Sequence, residues 1–271
     1  MSTLFAFIAG ISVVLVAMSW EVGIAQFWDL PAFLIVVGGT SAALFICFPL
    51  PQIMRVAGVL RQIFLADDAG PGAIIALFVR LSFKARQQSL LSLEEDMKRI
   101  ENRYIKQGLE MVIDGHPGHL IRDVLETELD FVQMRHKKGE HIFRTAGKLA
   151  PAFGLMGTVI GLVQMLLGLA SAAASGSSTT EVLARGMAVA LMTTFYGILS
   201  SNLFFSPIAE KLHVKTDEEH LSTQVAIEGI LMLQAGVNPR IIERKLNSYL
   251  APQQRVKVYD EYLKRQRTPT A

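Results

Sequence analysis

Four long apolar runs punctuate the chain, at about residues 4–20, 32–50, 149–170 and 183–205. A bilayer's hydrocarbon core is about 30 Å thick, and a helix rising about 1.5 Å per residue needs roughly 20 apolar residues to cross it. Each run is close to that length. The pattern therefore predicts an all-α polytopic membrane protein with four transmembrane helices in two hairpins. Between the second and third runs the period changes. Residues 74–86 and 91–112 carry apolar side chains every three or four positions, which predicts two amphipathic helices. The segment Ile113-Asp114-Gly115-His116-Pro117-Gly118 stops the second of them, because Gly suits a C-cap and Pro cannot continue a helix. A further amphipathic stretch, 119–138, leads to the third run. After Pro207, residues 208–233 read as a continuation of the fourth helix that stops near Gly236-Val237-Asn238-Pro239. From Pro252 the chain is polar and basic and is expected to fray.

Composition agrees with the pattern. Of 271 residues, 51% are hydrophobic and 18% charged, and the mean hydropathy is +0.37, too apolar for an ordinary soluble enzyme. The amino terminus lacks the basic flank and small-residue cleavage site of a secretory signal, so the first run is expected to be a retained helix. The single cysteine, Cys47, has no partner for an intrachain disulfide. No P-loop, nucleophile elbow or zinc-protease motif is present, so no enzyme class and no cofactor is indicated. Charge adds the orientation. All of the 26 basic residues except Arg185 fall either between the second and third runs or after 205. Short basic loops stay cytoplasmic, so both termini and the long loop should face the cytoplasm. The connections 21–31 and 171–182 should face outward, the latter through a small-residue linker, 171–178. The expected domains are a transmembrane hairpin (1–51), a cytoplasmic helical domain (52–147), a second hairpin (148–207) and cytoplasmic C-terminal helices and tail (208–271).

The interiors of the four runs hold no Asp, Glu, Lys, Arg or His, although an intramembrane ionisable group is the usual mark of an ion path. They hold instead rows of small and hydroxyl side chains. In the third run Gly154, Thr158 and Gly161 recur at helical spacing, with Gly157 and Gly161 forming a GxxxG element. In the fourth, Gly186, Ala190, Thr194, Gly197 and Ser201 line one face. One reading is close helix packing alone. The other adds Thr158, Thr193 and Thr194 as oxygen donors beside an ion path, since hydroxyls can replace the hydration shell of a hard cation; the missing carboxylate then has to come from a partner helix. Two other features are weaker. His116 and His119 form an H-x-x-H interrupted by Pro117 and Gly118, with no further ligand to complete a metal site. The tail run Lys264-Arg265-Gln266-Arg267 reads as a solvated inward end able to touch anionic lipid, not as a nucleic-acid site.

One resemblance covers nearly the whole chain. The string Leu149-Ala150-Pro151-Ala152-Phe153-Gly154-Leu155-Met156-Gly157-Thr158-Val159-Ile160-Gly161-Leu162-Val163 resembles the third-helix signature of the flagellar motor stator A subunit family, MotA/PomA. Met187-Ala188-Val189-Ala190-Leu191-Met192-Thr193-Thr194-Phe195-Tyr196-Gly197, with Asn202 and Pro207-Ile208-Ala209-Glu210-Lys211-Leu212 beyond it, resembles the fourth, and Val36-Val37-Gly38-Gly39-Thr40 the second. The resemblance implies a stator in which five A subunits surround two B subunits (MotB/PomB-like), each B supplying the ion-carrying aspartate. It implies coupling roles for Pro151 and Pro207. It further implies that the segment from Phe83 to Glu95 touches the rotor protein FliG, with Lys84, Arg86, Glu94 and Glu95 as its charged positions. The ion is H⁺ or Na⁺, and the paired threonines favour sodium. The rival expectations are an ExbB/TolQ-like energiser of outer-membrane processes, whose chains typically have three spans, and a non-conducting membrane scaffold.

Overall fold

A computed structural model describes residues 2–20, 23–65, 70–175 and 178–267, and every regular element among them is helical. In chain order these are α1 (Ser2–Ser19), a 3₁₀ turn (Ile24–Phe27), α2 (Leu30–Phe33), a π turn (Leu34–Gly38), α3 (Gly39–Cys47), α4 (Leu50–Leu65), α5 (Pro71–Gln88), a 3₁₀ turn (Leu90–Leu93), α6 (Glu94–Met97) and α7 (Arg103–Ile113). Then come α8 (Gly118–Ser175), α9 (Thr179–Leu199), a π turn (Ser200–Phe205), α10 (Ser206–Gln234), α11 (Pro239–Leu246), two 3₁₀ turns (Asn247–Tyr249 and Pro252–Gln254) and α12 (Val258–Arg267). The chain divides into two compact units, Met1–Ala66 with His136–His213 and Asp67–Arg135 with Val214–Ala271.

Local chemistry sets the helix ends. Asp29 caps α2 by accepting from the Ala32 amide, with Pro31 in the first turn, where its missing N–H costs nothing. Asn102 and Asn238 cap α7 and α11 in the same way. α7 and α10 close alike, on Gly115 (φ 77°) and Gly236 (φ 64°). The amides of His116 and Val237 reach back to the Met111 and Met232 carbonyls at 3.0 Å each, the Schellman arrangement that glycine's left-handed freedom permits.

Among the described residues, three helices are long and apolar enough to cross a membrane by their hydropathy: Leu30–Cys47, and those containing the third and fourth apolar runs. The first run is helical throughout Ser2–Ser19, with a shorter apolar stretch at Phe7–Ser19. The linker expected over 171–178 is shorter than the sequence suggested. α8 carries its helix through Ser175, since the Ala-rich sequence is a good helix former; Glu21, Gly176 and Ser177 lie outside the described residues. Large apolar side chains face away from the first unit, Leu155, Leu167 and Leu191 being about two-thirds exposed (64%, 66% and 65%). That surface suits lipid or further protein, not water.

The second unit has a conventional core, in which Phe78, Leu93, Leu109, Leu125, Ile230 and Leu246 are fully buried. Here the helix expected over 91–112 is broken into a 3₁₀ turn, α6 and α7. Leu93 points inward from the 3₁₀ turn, and Asn102 leaves the helix to cap the next one. The tail also departs from expectation. Its polar stretch folds into α12, whose Tyr259 and Tyr262 rings stack on Phe83 at 5.4 and 4.5 Å. Aromatic packing of this kind outweighs the polar character of the surrounding residues.

Candidate functional site

The small residues of α8 and α9 form a seam. A Cβ at Gly154 would stand 2.9 Å from the Thr193 carbonyl oxygen, at Gly161 2.8 Å from the Ala190 amide nitrogen, and at Gly197 2.8 Å from the Ala150 carbonyl oxygen. Gly157 faces the Thr193 side chain, and Gly186 faces Met165. The two backbones therefore touch along three turns, as small-xxx-small patterns allow. Gly154, Gly157, Gly161, Gly186, Ala190 and Gly197 are all buried in this contact.

Three hydroxyls lie on the seam. Thr158 Oγ1 and Thr194 Oγ1 are 2.6 Å apart, joining the two helices directly. Each also reaches the Ala190 carbonyl oxygen at 3.2 Å, and Thr158 reaches the Gly154 carbonyl oxygen at 3.1 Å. Each hydroxyl has one proton, so one threonine donates to the other and the second donates to a carbonyl. Oxygen lone pairs are left over at a half-buried position. Thr193 differs from the other two. It is fully buried and donates to Ala190 at 3.0 Å, so its hydroxyl is spent inside the packing.

Pro151 lies in α8 and Pro207 in the first turn of α10, and the π turn between α9 and α10 packs against Gly147 of α8. Pro151 lies inside α8 and has no N–H for the Gly147 carbonyl one turn back. The Ser201 hydroxyl, buried on the π turn, donates to that carbonyl at 2.7 Å. Pro207 follows the same π turn, where Ser206 N–H reaches back to Ser201. A proline ring cannot donate to the carbonyl four residues earlier and crowds it; ahead of Pro207 the helix widens into the π turn, whereas α8 stays α-helical through Pro151.

Sequence reasoning missed Tyr196. Its buried hydroxyl accepts from the Asp29 amide at 2.9 Å and donates to the Phe27 carbonyl, tying the 23–30 connection to α9. The signal was a tyrosine in an apolar run, since a buried phenol needs a partner. In the first two turns of α9, Glu181 and Arg185 pair at 3.4 Å, well exposed.

In the second unit the charged residues of the 83–95 segment divide. Lys84 Nζ is held by Asp96 at 2.7 Å with Glu95 at 4.0 Å. Arg86 Nη2 donates to the Gly236 carbonyl at 3.1 Å, closing the end of α10. Glu94 and Glu95 are exposed. His116 precedes α8 and His119 lies in its first turn. Among the described residues no group of three His, Cys, Asp or Glu is placed to hold a metal.

The MotA/TolQ/ExbB proton channel family model matches residues 96–225. The chain is 40% identical to motility protein A of Borreliella burgdorferi, over 91% of this chain and 92% of that protein. It is 34% identical to chemotaxis protein PomA of Vibrio alginolyticus, over 96% and 99%. Its fold superimposes on the flagellar MotAB stator complex of Bacillus subtilis with a TM-score of 0.82 and 31% identity, covering 93% of this chain and 96% of that one. With relatives this similar along almost its full length, the chain belongs to the motility protein A branch of the MotA/TolQ/ExbB proton channel family.

Proposed function

We propose that this chain is the ion-conducting, torque-generating A subunit of a flagellar stator, coupling inward flow of H⁺ or Na⁺ to rotation. The carrying observation is the half-buried Thr158–Thr194 hydroxyl pair, on a seam that supplies oxygens but no carboxylate. An ionisable group within the membrane is the usual mark of an ion path, and the apolar runs of this chain supply none. A B-type partner helix bearing an aspartate completes the site, and the solution of the Bacillus subtilis relative as a MotAB complex supports a two-component assembly. The exposed leucines of α8 and α9 supply the surface on which further copies and the partner pack, five A around two B. The spans run in the four-helix order of the apolar runs, with both termini, 52–147 and 208–271 cytoplasmic, as the distribution of basic residues requires.

Ion arrival neutralises the partner's carboxylate and changes its contacts with the hydroxyl seam. The bend points at Pro151 and Pro207 turn that change into motion of the cytoplasmic helices. A membrane potential offers about 2.3 kcal/mol per charge per 100 mV for each step. Glu94 and Glu95 face the rotor protein FliG directly, while Lys84 and Arg86 shape the segment that carries them. Such exposed charges bind weakly and release under salt, which suits repeated contact.

The test is swimming in a host lacking its own stators, supplied with this chain and its cognate B subunit, with external sodium varied at fixed pH. Speed rising with sodium identifies a sodium-driven stator. Sodium-independent swimming abolished by a protonophore identifies a proton-driven one. Stable co-assembly without any rotation contradicts the proposal and leaves a TolQ/ExbB-like role or a scaffold.

A further inference from the structure

We propose that Ser201 is a positioning residue for coupling: its hydroxyl ties the carbonyl freed by Pro151 to the π turn ahead of Pro207, so that the two proline sites act as one joint. This rests on the coupling role proposed above for the two prolines.

The argument begins with an unmade bond. In α8 the Gly147 carbonyl would ordinarily receive the amide of residue 151, and Pro151 has none. Gly147 is buried, and a buried carbonyl left without a donor is costly. Ser201, only 6% exposed, fills the gap from the neighbouring helix at 2.7 Å. It is also part of the π turn Ser200–Phe205, and its own carbonyl receives the Ser206 amide across that wider turn. Gly147 makes the approach possible, since a Cβ there would stand 3.1 Å from the Ser206 hydroxyl.

One side chain therefore joins the carbonyl freed by one proline to the widened turn that precedes the other. With the carbonyl freed by one proline held by the turn ahead of the other, motion at the two sites is coupled while the bond lasts. The bond is neutral and single, so it can break and re-form within a working cycle. Thr158 and Thr194 lie on the same pair of helices, where a partner's carboxylate would act.

The experiment is a double-mutant cycle on the purified complex of this chain with its B-type partner, read by thermal unfolding. Pro151→Ala restores the amide, so Gly147 regains its helix bond and the Ser201 hydroxyl becomes redundant. Ser201→Ala should lower the unfolding midpoint in the parent complex and leave it nearly unchanged in the Pro151→Ala background. An equal drop in both backgrounds overturns the pin. The same variants in stator-less cells give the functional arm. With Ser201→Ala, rotation should fall severalfold while ion influx and co-purification of the B partner stay near parental, and Ser201→Thr, which keeps the hydroxyl, should recover most of the speed. Parental speed in Ser201→Ala overturns the coupling role, as does loss of influx in proportion to speed. If the parent complex turns no motor, the functional reading fails by itself, and the unfolding cycle still decides the pin.

Discussion

At residue 197 the space for a side chain is set by backbone atoms. A Cβ there meets the Ala150 carbonyl oxygen at 2.8 Å, with the Gly154 and Pro151 Cα atoms at 3.1 and 3.2 Å, and none of these can rotate aside. Gly197→Ala should therefore destabilise the complex by about 1–3 kcal/mol, seen as a lower thermal unfolding midpoint. At Gly38 a Cβ meets nothing within 4 Å, so Gly38→Ala serves as the near-neutral control in the same assay. Tyr196→Phe removes the acceptor of the Asp29 amide and should cost about 1–3 kcal/mol by the same measurement. The glycine seam was legible in the sequence because helical spacing alone places Gly154, Gly161, Gly186 and Gly197 on facing stripes. The hydroxyl bonds were not, since they depend on rotamers. Spacing ranked Thr158, Thr193 and Thr194 alike, whereas the fold leaves Thr158 and Thr194 half-open and consumes Thr193.

The last turn of α5 shows how an element is held in place. Phe83 stacks on α12, Lys84 binds Asp96 of α6, and Arg86 closes the end of α10. Three neighbouring side chains thus tie α5 to three different elements. If Lys84 acts as an internal tie, Lys84→Glu should impair swimming and the exchange Lys84→Glu with Asp96→Lys should restore part of it. A direct rotor contact predicts no rescue. Tyr262→Ala should likewise loosen this end of α5, measured as faster amide exchange over 80–88. Sequence periodicity found α5 because its apolar spacing is unbroken. It joined α6 and α7 because the pattern of apolar spacing continues across a break that only the capping role of Asn102 reveals. It left the tail unfolded because the value of Tyr259 and Tyr262 lies in a ring 176 or more positions earlier in the chain. Tyr104 is another residue whose character is tertiary. Its phenol is pushed up to about 12, first by burial and then by the Glu128 and Glu219 carboxylates. The fold favours the neutral phenol, so its contribution to stability is complete below the ordinary tyrosine value near 10 and is lost as pH rises through about 12. The latest component of an alkaline tyrosinate absorbance titration should accordingly disappear in Tyr104→Phe.

On the scale of the whole molecule, the apolar runs and the chain's relatives agree on a membrane protein of the motility protein A family, and its α8–α9 pair offers hydroxyls while the apolar runs hold no carboxylate. Class and family were legible because long apolar runs and the motifs around Pro151 and Pro207 are local in sequence. What covers the exposed leucines of α8 and α9 is not written in this chain. The central claim is that the Thr158–Thr194 pair borders the ion path, and ion influx through the purified complex of this chain with its B partner, reconstituted in vesicles, tests it most directly. Thr194→Val keeps the shape and removes the hydroxyl; the account predicts that influx drops by about tenfold, the loss of one hydrogen-bonding partner worth about 1.4 kcal/mol, while Thr194→Ser retains most of it. Parental influx through an intact Thr194→Val complex would contradict the account and return the seam to packing alone.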